Sequence, residues 1–138
     1  MTMIPNIFSA TTVPVLTEVV GFAQARQNVL AGNIANYGTP GYQVRDLSVG
    51  NFQERLRDAI EWRDKTKESL SPGVLHPTDS KMKRVRETLK EVLYHDGTDV
   101  SLENQANEIA KNQLLQNLAI TIMTSQFRVL QTAISERV

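Results

Sequence analysis

The sequence predicts a mainly α fold: long N- and C-terminal helices pairing as a coiled coil, with a small charged middle segment between them. Three observations carry this. Apolar and amide residues recur in unbroken 3-4 spacing over residues 102–134, and a shorter run of the same kind spans residues 16–34. Charge is concentrated between the two runs: residues 1–44 hold only Glu18 and Arg26, residues 45–95 hold eleven basic and nine acidic side chains, and only Lys111 and Arg128 lie between Glu108 and Glu136. The chain of 138 residues therefore divides into an N-terminal helical part (1–47), a charged middle (48–95) and a C-terminal helical part (96–138).

The first helix is expected over about Val13 to Ala35. Its stripe is Leu16, Val20, Ala23, Leu30 and Ile34, with Gln27 in the one polar slot. Pro14 suits the first turn, where a missing N–H costs little, and Thr11 or Thr12 is placed to cap. Residues Met1 to Ala10 show no periodicity and form a loose lead segment. Asn36 and Gly38 are expected to close the helix in the left-handed conformation, and Pro40 forces Thr39 out of helical space. Pro40-Gly41 has the order of a type II turn, Tyr42 follows as an anchor for the new direction, and Gln43 to Leu47 can run extended.

In the middle, Phe52, Leu56, Ala59 and Ile60 suggest a short amphipathic helix over about Gly50 to Lys67. Ser69 to Ser80, with Pro72, Gly73 and Pro77, is expected to be a loop. Val85 to His95 fits a strand or a helix equally, and Asp96-Gly97 signals a turn. The last helix has the clearest start: Ser101 stands at the N-cap, and Glu103 and Glu108 crowd the positive end of the dipole. Its stripe runs Leu102, Ala106, Ile109, Gln113, Gln116, Ile120, Met123, Phe127, Leu130 and Ile134, a rod of about 50 Å. A second stripe of Leu115, Leu118, Ile122, Val129 and Ala133 runs beside it. Either other subunits cover that second stripe, or the middle segment folds over it in a closed three-helix bundle.

Both ends are rich in amides: residues 1–44 hold seven Asn or Gln and residues 96–138 hold nine, against two in the middle. Amides without charges suit surfaces covered by protein, where an amide finds a partner and a charge would lose its hydration.

Composition also excludes. Fifteen basic residues balance fifteen acidic ones, so there is no electrostatic footprint for nucleic acid; the basic cluster Lys81, Lys83, Arg84, Arg86 is followed at once by Glu87 and Glu91 and fits a solvated face. There is no cysteine, and the two histidines, His76 and His95, fall beside turn signals with nothing converging on them. No Gly-rich phosphate loop, paired-carboxylate setting or Ser-His-Asp spacing is present, so no catalytic residue, cofactor, metal or small-molecule substrate is expected. No stretch is apolar enough to span a membrane, and no Lys or Arg precedes Arg26, so the charged start of a secretory signal is missing.

The string Asn33-Ile34-Ala35-Asn36-Tyr37-Gly38-Thr39-Pro40-Gly41-Tyr42, closing an uncharged amphipathic helix, resembles the N-terminal motif of the flagellar rod and hook proteins. With Arg45-Asp46 after it and this chain length, it looks most like the proximal member of the basal-body rod family. The entry to the last helix, Asp96-Gly97 with Val100, Leu102 and Glu103, is similar to that family's as well. The resemblance covers residues 13–47 and 96–134.

It implies a non-enzymatic subunit whose paired terminal helices pack against neighbours to build the tubular drive shaft. The implied partners are further copies of the chain, other rod proteins, a membrane-ring adaptor and the type III export apparatus. The implied place is the basal-body rod in the periplasmic space, reached without a cleaved signal. Under this reading the turn residues Asn33, Ile34, Ala35, Asn36, Thr39, Pro40, Gly41 and Tyr42 shape the subunit. Leu16, Val20, Ala23, Leu30, Ile109, Ile120, Met123, Phe127, Leu130 and Ile134 carry assembly. A soluble helical-bundle export chaperone or adaptor is the alternative.

Overall fold

The computed structural model describes residues 11–69, 79–94 and 101–135. The lead segment, the loop around Pro72 to Pro77, both histidines and the Asp96-Gly97 turn lie outside the described residues. Four helices and two short strands follow in the order α1 (Val13–Ala35), β1 (Arg45–Leu47), α2 (Val49–Ser69), α3 (Asp79–Glu87), one 3-10 turn (Thr88–Lys90), β2 (Val92–Tyr94) and α4 (Leu102–Ser135). The fold is mainly α, as the periodicities require.

Helix starts follow side-chain chemistry. Ser48 accepts the Asn51 N–H at 3.2 Å to open α2, and Ser101 accepts the Glu103 N–H at 3.2 Å to open α4. Thr12 occupies the N-cap of α1 without a side-chain bond; Thr11 Oγ1 instead accepts the Val13 N–H at 3.3 Å. The α1 C-terminus corrects the expectation. Asn36 sits at φ −105°, and Gly41, at φ 77°, is the one positive-φ residue among the described residues. The helix ends through the Asn36 amide, which donates to the Gly32 carbonyl at 2.8 Å, so no left-handed closure is needed.

The middle segment resolves into a compact layer. Of Val85–His95, open between strand and helix, the described residues 85–94 are divided among the end of α3, the 3-10 turn and β2. β2 pairs antiparallel with β1 in the register Arg45↔Tyr94, Asp46↔Leu93 and Leu47↔Val92. Strands of three residues have little local preference and exist only because a distant partner pairs with them.

α1 lies between two partners. On one side it runs antiparallel to α4, as Asn33 meets Gln105, Gln27 meets Asn112 and Gln24 meets Gln116. On the other, Phe22 stacks on Phe52 of α2 with ring centroids 4.0 Å apart and planes 13° from parallel. That stack joins Leu47, Ala59 and Val85 in the hydrophobic core, flanked by Val19 and Val29. Two-sided burial explains why α1 carries so little charge. The middle layer packs on α1, so the closed bundle in which it would cover the second stripe of α4 is not the observed arrangement.

Phe22→Ala removes the largest apolar side chain that α1 contributes to this core. It is expected to cost about 3–5 kcal/mol, read as a lower urea midpoint with the slope unchanged.

Candidate functional site

The candidate site is the seam between α1 and α4 with the turn that leads out of α1. The residues that build it are polar. Asn33 is only 1% exposed, and all four hydrogen-bonding positions of its amide are used. Its Nδ2 donates to the Arg45 carbonyl at 2.6 Å and to Gln105 Oε1 at 3.0 Å, while its Oδ1 accepts from Tyr42 OH at 3.2 Å and from the Arg45 N–H at 3.1 Å. One side chain thereby ties α1 to the turn, to β1 and to α4. Because it takes both backbone groups of Arg45, it also closes the edge of β1 where a further strand would pair.

Down the seam, Asn112 is 2% exposed and donates to the Ala23 carbonyl at 2.8 Å and to Gln27 Oε1 at 2.9 Å. Gln116 donates to Gln24 Oε1 at 3.2 Å. The buried residues of α4 are Gln105, Asn112 and Ala119, spaced by seven.

Both charges of α1 are spent at seams. Arg26 forks onto Asp46, Nε to Oδ1 at 2.9 Å and Nη2 to Oδ2 at 2.7 Å, and Nη2 also reaches Glu108 Oε2 at 2.7 Å. Asp46 Oδ1 accepts the Leu47 N–H at 2.7 Å as well. Glu18, 6% exposed, meets Arg86 Nε of α3 at 2.7 Å. The hydrogen bond to Asp46 raises the affinity of Arg26 for its proton, against the opposing effect of burial, and Glu108 adds to it. Glu108 is held below the usual carboxylate range by Arg26 first and Lys111 second. Arg26 and Asp46 are partly buried, so removing either partner strands the other charge with reduced access to water.

The turn has the geometry its residue order demands. The Tyr42 N–H donates to the Thr39 carbonyl at 3.2 Å across Pro40-Gly41, and Gly41 takes the positive φ of a type II turn. Tyr42 anchors the chain through its bond to Asn33. Thr39, Pro40 and Gly41 are exposed, and Ile34 and Ala35 face outward at the end of α1.

The stripes are shifted from the expected ones. Ala23 and Leu30 are buried, whereas Leu16 and Val20 are half-buried. On α4, Ile109, Met123 and Leu130 are half-buried along the seam, but Ile120, Phe127 and Ile134 are exposed. The seam passes through Gln105, Asn112 and Ala119, one position before Ala106, Gln113 and Ile120. The cause is chemical: the amides of Gln105 and Asn112 satisfy polar groups on α1, which Ala106 and Gln113 do not. The unburied remainder of α4 carries large apolar side chains among its polar ones, with Leu114, Leu118, Val129 and Ile134 between 55% and 73% exposed. Apolarity alone gives no sign of which positions the tertiary contacts cover. A sharper signal was present: a lone Arg and a lone Glu in an otherwise uncharged helix.

A separate cleft of about 510 Å³ between α2 and α3 is lined by Asn51, Glu54, Arg55, Asp58, Lys81, Arg84 and Glu87. Its carboxylates and cations balance. Among the described residues, no group of three or more His, Cys, Asp or Glu is placed to hold a metal, and no helix is long and apolar enough to cross a membrane.

The amide-bearing stretch of α1 and the turn is also matched by a protein-family model. Residues 23–43 match the family model described as "Flagella basal body rod protein". The chain is 28% identical over 121 residues to the flagellar basal body rod protein FlgB of Salmonella typhimurium, covering 80% of this chain and 83% of that one. It is 27% identical over 119 residues to FlgB of Escherichia coli K12, with the same two shares. To FlgB of Bacillus subtilis 168 it is 25% identical over 131 residues, covering 94% of this chain and 97% of that one.

Two tests follow from the geometry. Gly41→Val places a β-branched residue at positive φ and is expected to cost about 1–3 kcal/mol, with Gly41→Asn costing clearly less, both read by thermal unfolding. Glu108→Gln tests the ion cluster. A carboxylate with a lowered folded value adds stability above its unfolded value and loses it as pH falls through the folded one. The parent is therefore expected to melt above the variant at neutral pH, and the gap to close between about pH 5 and pH 2.

Proposed function

We propose, for a chain whose family is that of the flagellar basal-body rod proteins, a structural role: it is a subunit of the rod, built into the shaft through its paired terminal helices. The observation that carries this is the outward face of α4. Leu114, Leu118, Ile122 and Val129 stand exposed on a helix whose charged residues between Glu108 and Glu136 are Lys111 and Arg128. Surfaces of this kind on a soluble chain mark sites covered by other protein. A family of rod proteins supplies that protein: contacts with other basal-body components follow from the family.

The finer partners are further copies of the chain, the other rod proteins and a membrane-ring adaptor, with the type III export apparatus engaged on the way out. The place of work is the rod in the periplasmic space, reached without a cleaved signal. The work is mechanical: torque passes through packed helices, and the family is a structural one. The parts from 1–47 and 96–138 form the axial unit, while the middle part (48–95) supports α1. The turn from Asn33 to Tyr42 and the stripe residues Leu16, Val20, Ile120, Phe127 and Ile134 serve assembly. The relatives named above are rod proteins, which favours this reading over the export chaperone.

The test uses side chains already in solvent. Leu118→Asp combined with Val129→Asp is expected to leave folding stability within about 0.5 kcal/mol, as surface changes usually do. Cells whose only copy is this variant are expected to accumulate the protein, lack rods in isolated basal bodies and fail to swim. Complete rods containing the variant, seen by electron microscopy and immunoblot, would overturn the assembly role of α4.

A further inference from the structure

The helical pair is inverted relative to an ordinary coiled coil. Its internal seam holds buried amides and an ion cluster beside Ala119 and the half-buried Ile109, Met123 and Leu130, while many of the large apolar side chains of α4 point outward. We infer that the seam amides, above all Gln27 with Asn112, set the register in which α1 and α4 of one chain pair, and so reserve the apolar face for neighbours. This rests on the rod reading only for its purpose, and its test needs no rod.

The exposed apolar pattern of α4 changes little on a shift of seven, which is about 10 Å along the helix. In a chain shifted by one heptad, Ile122 and Val129 replace Leu115 and Ile122, and Phe127 and Ile134 replace Ile120 and Phe127. Along the seam the shift is felt: Gln116 replaces the half-buried Ile109 and Gln126 the buried Ala119. The polar contacts do not repeat. The same shift puts Ala119 where Asn112 now donates to Ala23 and Gln27, Leu115 where Glu108 now meets Arg26, and Met123 against Gln24 in place of Gln116. Three hydrogen bonds and one ion pair vanish, and Arg26 loses a partner while remaining buried.

A polar residue in a coiled-coil seam selects register because misaligned neighbours leave it unsatisfied, at some cost in stability. A tube that crowds many like helices side by side needs that selection. With apolar seams, α1 of one subunit would pair as well with α4 of the next.

The chain has no cysteine, so a pair of introduced thiols reports alignment without interference. Gln24→Cys is combined with Gln116→Cys for the observed register, and with Met123→Cys or Ile109→Cys for a slip of one heptad either way. The full-length chain is treated at high dilution with a short thiol crosslinker, and the intrachain product is measured. The observed-register pair is expected to react at least about tenfold faster than either slipped pair, a ratio in keeping with the two lost hydrogen bonds of Asn112. Adding Gln27→Leu and Asn112→Leu replaces both amide partners with apolar groups. Helix content is then expected to persist, and a slipped pair to come within about threefold of the observed-register one. Equal reaction of slipped and observed pairs in the parent would overturn the inference. So would a preference unchanged by the two leucines, or loss of helix content in their presence, which would make the amides supports of stability alone. None of these outcomes depends on whether the chain enters a rod.

Discussion

The Asn33 amide is the constraint on which the rest of the structure depends. A buried primary amide has two donors and two acceptors to satisfy, and leaving one unmet costs as much as several good contacts contribute. Satisfying all four dictates where Tyr42, Arg45 and Gln105 must lie. The type II turn at Pro40-Gly41 reverses the chain so that Tyr42 and Arg45 return to Asn33, and the start of α4 is drawn to the same point. The sheet, the turn and the helix pair thus converge on one short side chain.

α1 is held from two sides, with a narrow exposed face along Thr17, Gly21, Gln24, Asn28 and Ala31. Its aromatic face stacks into the middle layer, its amide face meets α4, and its two charges are committed, Glu18 to Arg86 and Arg26 to Asp46 and Glu108. The charge-rich middle segment therefore has a structural role. It supplies the apolar shelf of Phe52, Ala59 and Val85 and the counter-ions that let α1 bury its own charges. α4 has no such shelf, and much of its apolar surface faces outward. The asymmetry between the two helices is what gives the subunit an inner and an outer bonding surface.

Polar contacts and apolar contacts do different work here. Hydrogen bonds between amides are directional and contribute about 1 kcal/mol each, so they decide alignment more than they decide stability. Apolar burial contributes more per side chain but is non-directional. In the helix pair the amide contacts fix how α1 and α4 align, while much of the apolar surface of α4 stays exposed.

The sequence by itself determined the two long helices, their starts at Val13 and Leu102, the helix of the middle segment and the type II turn. Each of these rests on local periodicity, capping or backbone restriction, which residues a few positions apart decide. Even the scarcity of charge at both ends, and with it the expectation of covered surfaces, was legible in composition. The tertiary structure decided which stripe is buried, the identity of the seam and the two strands. Asn112 finds Ala23 and Gln27 across more than eighty residues, Arg26 finds Glu108 across as many, and β1 finds β2 across forty-odd. An amide or a lone charge in a heptad looks the same in sequence whether it faces solvent or a partner. Its effect on stability changes sign with that partner's presence, and only the fold supplies the partner.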